Sequence, residues 1–232
     1  MDLILSETAI ERLRVSSLGV EFLSDAMIAR FAHPRIVAYA HLSIQSGSDT
    51  ILRRMGRHYT RAETLDRLTK LSILTRPDGV KVRIGADLIV GFPGESEADF
   101  EDTLSLVHEY GISQLHAFPF SAHVSSYHVP AGSFDGQIPE ATKTDRLSRL
   151  ITAGNIANKE FIESHIGHEL SLLVEGRTTA TTFRGWSQNY IELTSANFTP
   201  KAGSKIARNE LVRGVFTGRE NSSLKYDKTY IE

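Results

Sequence analysis

ADLIVGFPGES, Ala86 to Ser96, carries an apolar run straight into Gly-Phe-Pro-Gly and then an acid. The run reaches back to Val80, and a stretch this continuously apolar suits a strand buried in a parallel sheet. Downstream, Phe100, Leu104 and Val107 fall at i, i+4 and i+7, the spacing of one helix face. Gly111 stands where a C′ glycine ends a helix. The unit reads as strand, tight turn, helix. A glycine at a strand end lets backbone approach a ligand closely. Pro93 stiffens the turn, and the next helix start offers unpaired N–H groups to polar or anionic atoms. The same residues equally suit a βα turn that holds nothing.

Neighbouring segments repeat the pattern. RLRVSSL (Arg12–Leu18) alternates polar and apolar residues and predicts a strand. Ser24–Phe31 predicts a short helix capped by Ser24 or Asp25. AYAHLSIQSGS (Ala38–Ser48) predicts a second strand with a Gly turn, followed by a helix through Met55. Thr60-Arg61-Ala62-Glu63 is a capping box. It opens a helix whose apolar stripe is Leu65, Leu68, Leu71 and Ile73, and Pro77-Asp78-Gly79 closes that segment with a turn. Val80–Val90 is the third strand and Ile112–Ser121 the fourth. Strands alternating with helices at this spacing imply parallel pairing through right-handed crossovers. In such α/β folds the functional groups gather at the C-terminal strand ends.

Residues 122–139 read as loop, and a helix is predicted from Glu140 to about Ser164, burying Leu147, Leu150, Ile151, Ala157 and Phe161. From Gly167 the segments become short, β-branched and separated by turns, which predicts about five strands, few enough to close as a small barrel. The expected domains are an α/β part over 1–138, a connecting helix over 139–165 and an all-β module over 166–232. The polar tail after Gly218 is expected to be partly disordered.

The totals exclude several classes. With 232 residues, 41% hydrophobic and 23% charged, the composition is that of a globular protein. No apolar run approaches the length of a membrane span. The first residues, MDLILSETAIERLR, lack the basic start of a secretion signal, so a cytoplasmic protein with no membrane partner is expected. There are no cysteines, which excludes disulfides, thiolate zinc sites and cysteine-ligated iron–sulfur clusters in this chain. Residues 1–165 hold 17 basic and 21 acidic residues, whereas 166–232 hold 9 and 7. The C-terminal excess of positive charge is weak support for an anionic partner there.

Candidate site residues fall at the predicted strand ends. Gln45-Ser46-Gly47 would project small polar groups at the same rim as Gly91, Gly94 and Glu95, with Arg57 and Tyr59 beside them. His41 and His116 lie inside apolar strands, where a hydrogen-bonded core histidine is the expectation; no H-x-x-H or H-E-x-x-H pairing points to a metal. Ser16 and Ser17 have no neighbouring base that would make a nucleophile. In the β module, Trp186, Tyr190 and Arg184 stand among Arg177, Lys205, Arg208 and Arg213. Aromatics among cations suit stacking on unpaired bases with phosphate contacts, and equally suit a core tyrosine with solvated charges.

Taken together and in order, ERLRVSSL, HLSIQSGSDTILRRMGRHYT, ADLIVGFPGESEADFEDTL and LHAFPFS resemble the radical SAM methylthiotransferases from Glu11 to Ser121. The β module looks like their C-terminal TRAM domain, which contacts RNA in the RNA-modifying members. The resemblance implies the C-terminal part of a radical SAM partial (β/α) barrel followed by a small TRAM-like β-barrel. NKEFIESHIGHELSLLVE and GWSQNYIEL look most like the branch acting on N6-threonylcarbamoyladenosine beside the tRNA anticodon. Related branches act on isopentenyladenosine or on an aspartate of a ribosomal protein.

The family's cofactors are S-adenosyl-L-methionine and two 4Fe-4S clusters. A reduced cluster cleaves S-adenosylmethionine to a 5′-deoxyadenosyl radical, which takes a hydrogen from the target before a methylthio group is installed. Carried onto this chain, Gly91, Gly94 and Glu95 would lie against the adenosyl part, and Gln45, Ser46 and Gly47 near ribose and methionine. Arg14, Ser16 and Arg57 would supply polar contacts, with Phe118 and Ser121 flanking the adenine. Arg177, Arg184, Trp186, Tyr190, Lys205, Arg208 and Arg213 would face the tRNA anticodon loop.

The sequence also departs from the family. Its C-x-x-x-C-x-x-C loop, the first barrel strands and the auxiliary-cluster domain have no counterpart here, so neither cluster can be ligated by this chain. The expectation is therefore a chain inactive alone, with a separate N-terminal cluster-bearing segment as partner and an open barrel edge prone to self-association. Where the family reads Tyr-Ser-x-Arg-x-Gly-Thr-x-Ala, this chain has Phe120 to His128, with His123 replacing the arginine and its bidentate fork. Ala86 replaces a threonine common in relatives. A cluster-free RNA-binding or regulatory remnant and an unrelated α/β enzyme with an RNA-binding barrel are the competing readings.

Overall fold

The computed structural model describes residues 1–121, 130–175, 179 and 181–218. The chain divides into two compact units, Met1–Phe161 and Ile162–Glu232.

The first unit is built on three parallel strands in the order β1 (Tyr39–Gln45), β2 (Arg83–Val90), β3 (Ile112–Pro119). Around them lie α1 (Asp2–Glu7), α2 (Asp25–Arg30), α3 (Asp49–Arg54), α4 (Arg61–Ser72), α5 (Glu97–Tyr110) and α6 (Glu140–Glu163). The capping box at Thr60 is formed: its hydroxyl accepts from the Glu63 N–H, and the Glu63 carboxylate accepts from the Thr60 N–H. A second box, Ser96 with Asp99, starts α5. Gly111 ends α5 in the left-handed conformation at φ 61°. One sheet face packs Leu42, Ile44, Ile84, Ala86, Leu88 and Val90 into a core with Phe100, Leu106 and Val107, all 3% exposed or less. Successive side chains alternate between faces, so Tyr39, His41 and Ser43 share the other face with Gly85 and Asp87, and with His116 opposite Asp87.

Three expectations need correcting. Arg12–Leu18 is not a continuous strand. It touches β1 and its approach at two isolated parallel bridges, Leu13 to Ile36 and Leu18 to Leu42. Five steps on one side oppose six on the other, and a one-residue slip breaks the ladder between them. Ile73 is 76% exposed, because α4 stops at Ser72 and Ile73 is its C-cap; Thr64 takes the buried turn instead. The buried face of α6 is partly polar: Lys143, Arg146 and Asn158 are buried, while Leu147, Ile151 and Phe161 are only half-buried. Each buried polar group has a partner, Lys143 donating to the Phe120 carbonyl and to Glu140, Arg146 donating to Glu95, and Arg83 donating to Asn158.

The second unit is a curled antiparallel five-stranded sheet, ordered β6 (Glu192–Thr194), β5 (Arg184–Trp186), β4 (Glu169–Glu175), β8 (Leu211–Phe216), β7 (Phe198–Pro200). Leu170, Leu172, Val174, Leu193, Val212 and Phe216 form its core, each 2% exposed or less. Gly185 is required where β5 crosses β4, since a Cβ there would collide with the Leu173 carbonyl. No helix among the described residues is long and apolar enough to cross a membrane.

Candidate functional site

The turn after β2 explains its own glycines. Gly91 has φ +73° and Gly94 φ +82°, a backbone region that glycine enters without strain. The Gly91 N–H donates to Glu95 Oε2 at 2.6 Å, and the Gly94 N–H donates to the Gly136 carbonyl at 2.7 Å. A Cβ on Gly91 would run into the aliphatic stem of Lys143. Glu95 is 2% exposed and pairs with Arg146 at 2.8 Å. Burial pushes its carboxyl above the ordinary value, against the pull of the Gly91 N–H and Arg146. The turn is thus bracketed by α6, with Phe92 stacked edge-on to Phe120 at 5.0 Å.

At the end of β1 an extra residue enters between Leu42 and Gln45, and Gln45 takes φ +68°. This bulge interrupts the alternation of side chains where the strand reaches the rim. Ser46 and Gly47 are tied to α5: the Ser46 hydroxyl meets Thr103 Oγ1 at 3.3 Å, and the Gly47 N–H donates to it at 2.9 Å. Arg61 donates to the Gly47 and Asp102 carbonyls at 2.9 and 2.6 Å. Tyr59 is buried and donates to the Ser43 and Ile44 carbonyls, its phenol pushed up to about 12 by burial. Arg57 beside it is half-buried.

On the open face of the sheet, Arg14 lies over the Tyr39 ring at 5.7 Å. Phe118 is half-buried, and Ser16 and Ser121 are exposed. Ser17, not Ser16, turns to this face, with its hydroxyl 2.7 Å from that of Ser43 and 3.5 Å from Asp87. Asp87 is the hub. His41 Nε2 is 2.8 Å and His116 Nδ1 3.2 Å from its Oδ1, and Ser43 donates to Oδ2 at 3.4 Å. Burial opposes ionisation of Asp87, but hydrogen bonds and charge from His116 and His41 outweigh it and hold the carboxyl well below the usual range. The Tyr39 hydroxyl bonds His41 Nδ1. His41 meets the expectation of a hydrogen-bonded core histidine. His116 does not, with 40% of its side chain exposed. Asp87 escaped the sequence reading because its partners come from β1, β3 and the Ser17 segment, with no local spacing to betray them.

In the second unit, register places Trp186 opposite Leu173, Arg184 opposite Glu175 and Arg213 opposite Ser171. These fall on the outward face of β4, opposite the core side of Leu170, Leu172 and Val174. Trp186 stacks on Tyr190 with ring centroids 4.6 Å apart and planes 13° from parallel. Tyr190 reaches that position with φ +63° in a turn where Ser187 accepts from the Ile191 N–H. Neither ring is in the core; both are half-buried. Lys205 is paired with Glu210, and Arg208 is exposed. Arg177 and His123 lie outside the described residues.

Residues 2–107 match the family described as the Radical SAM superfamily. The chain is 35% identical over 182 residues to the threonylcarbamoyladenosine tRNA methylthiotransferase MtaB of Thermotoga maritima, covering 78% of this chain and 40% of that one. It is 34% identical to the protein of the same name from Bacillus subtilis, covering 79% and 40%. It is 43% identical over 171 residues to the tRNA-2-methylthio-N(6)-dimethylallyladenosine synthase of Methylococcus capsulatus, covering 72% and 35%. The chain therefore spans about two fifths of the length of these curated relatives.

Proposed function

We propose that the chain, whose residues 2–107 match the Radical SAM superfamily, serves as the strand-rim and RNA-contacting part of a tRNA methylthiotransferase acting on N6-threonylcarbamoyladenosine. The supporting observation is the reach of the similarity: relatives named for that activity align over 78% and 79% of the chain, well past the superfamily match. Modification of isopentenyladenosine is the second reading, favoured by the 43% identity to the dimethylallyladenosine synthase. The proposed setting is the cytoplasm.

The donor chemistry separates the two cofactors. A 4Fe-4S cluster takes thiolate ligands, and a chain without cysteine has none to give, so these residues do not fit a cluster. S-adenosylmethionine fits better, since the open sheet face offers the Ser17 and Ser43 hydroxyls and the Arg14 guanidinium, with the Phe118 ring half-buried. In the proposed arrangement Arg14 and Arg57 hold its charged end, Gln45, Ser46 and Gly47 close the β1 rim, and Phe118 and Ser121 flank the adenine. Gly91, Gly94 and Glu95 keep the β2 rim tight. Bound there, and reduced by a cluster held outside these residues, this cofactor would supply the 5′-deoxyadenosyl group that takes hydrogen from the target.

The β unit is assigned to the anticodon loop through Arg184, Trp186, Tyr190, Lys205, Arg208 and Arg213. Base stacking on an aromatic ring contributes about 1–3 kcal/mol. Trp186→Ala is therefore expected to weaken binding of an anticodon stem-loop about tenfold or more in fluorescence anisotropy. Arg213→Ala is expected to weaken it and to lower the salt slope by about one. Affinity unchanged in both variants would remove the RNA assignment.

A further inference from the structure

We propose that His41, Asp87 and His116 form a binding site for one divalent first-row transition ion on the open face of the parallel sheet. One ligand comes from each of three adjacent strands, and their ligating atoms all lie within 4.8 Å of one another. His41 Nε2 is 2.8 Å and His116 Nδ1 3.2 Å from Asp87 Oδ1. Ligands at bond lengths of about 2.0–2.1 Å around a tetrahedral ion stand about 3.4 Å apart, so small side-chain rotations suffice to admit the ion. Two imidazoles with one carboxylate select zinc, iron or cobalt over magnesium or calcium, which prefer oxygen alone.

The surroundings are those of a ligand set rather than of three isolated side chains. A metal-bound histidine is usually oriented by a partner on its other ring nitrogen, and the Tyr39 hydroxyl occupies that position on His41. As His41 Nε2 passes from donating to Asp87 to ligating an ion, Nδ1 gains the proton and the Tyr39 hydroxyl switches from donor to acceptor. Ser43 and Ser17 hold the second carboxylate oxygen of Asp87 at 3.4 and 3.5 Å. The side chains of His116 and Asp87 are 40% and 23% exposed, so an ion held here is reached from the open face. Three protein ligands leave a position for a further molecule, as in metal sites that act on ligands rather than only brace a fold.

The test is titration of the untagged, metal-stripped chain with cobalt(II), read by visible absorption, and with zinc, read by calorimetry. One equivalent is expected. Binding should weaken at least tenfold in both His116→Gln and Asp87→Asn, with far-UV circular dichroism confirming that each variant is folded. His58→Gln, at an exposed position, should bind as the parent does. Absence of saturable uptake, or uptake unaltered in the two ligand variants, overturns the site.

Discussion

Arg146→Met is expected to cost the unit holding the parallel sheet about 3–5 kcal/mol near pH 8, and distinctly less near pH 5. Arg146 and Glu95 are a buried pair, with side chains 5% and 0% exposed. Removing one partner leaves the other charge uncompensated, which costs far more than the pair itself contributes. Glu95 already has a raised carboxyl because burial outweighs its hydrogen bonds. Without Arg146 its folded value climbs further above the unfolded one. A group raised in this way contributes stability below its unfolded value and loses it as pH rises through the folded value. The deficit of the variant therefore grows with pH and shrinks on acidification. Urea unfolding followed by helical circular dichroism reads this unit, because α4, α5 and α6 lie in it, while the single tryptophan, Trp186, belongs to the other. A deficit independent of pH would mean that removing Arg146 leaves the titration of Glu95 in the folded protein unchanged, contrary to this account.

Gly47→Ala is expected to destabilise the same unit by about 3 kcal/mol, beyond any effect on a ligand. A Cβ at Gly47 would stand 2.7 Å from the Asp102 carbonyl carbon and 2.8 Å from Thr103 Cα. Those atoms belong to the backbone of α5 and cannot rotate away. The displacement also endangers the Gly47 N–H bond to Thr103 and the Arg61 bridge between the Gly47 and Asp102 carbonyls. Thr103→Val isolates the hydrogen-bond share, about 1–3 kcal/mol for a buried donor left without its acceptor. Gly47→Ala melting like the parent would show that α5 can retreat from the β1 turn.

Local chemistry made much of this fold legible. The Thr60 capping box and the helix-ending Gly111 are each set by residues within a few positions of one another, and each is present; of the Phe100, Leu104 and Val107 face, Phe100 and Val107 are buried while Leu104 is half-buried and Thr103 and Leu106 fill the turn between. What escaped was set at long range. The one-residue slip opposite Arg12–Leu18 depends on where β1 begins, which no alternation pattern reveals. Lys143, Arg146 and Asn158 face inward on α6 because their partners, Phe120, Glu95 and Arg83, lie there; the apolar face expected from the sequence does not include them. Glu95 read as a rim carboxylate, yet its carboxyl group closes on Gly91 and Arg146. The His41–Asp87–His116 cluster spans β1, β2 and β3, so only strand order and register assemble it.

The proposed function is tested most directly by joining this chain to the part of the Bacillus subtilis relative that it does not match, where the family resemblance places the clusters, and expressing the fusion in cells that lack that enzyme. Mass spectrometry of digested tRNA then reads the nucleosides, with iron content confirming that the fusion carries its clusters. Methylthiolated N6-threonylcarbamoyladenosine restored by the fusion is the predicted result. A cluster-loaded fusion that leaves this nucleoside unmodified, or that methylthiolates isopentenyladenosine in its place, would contradict it.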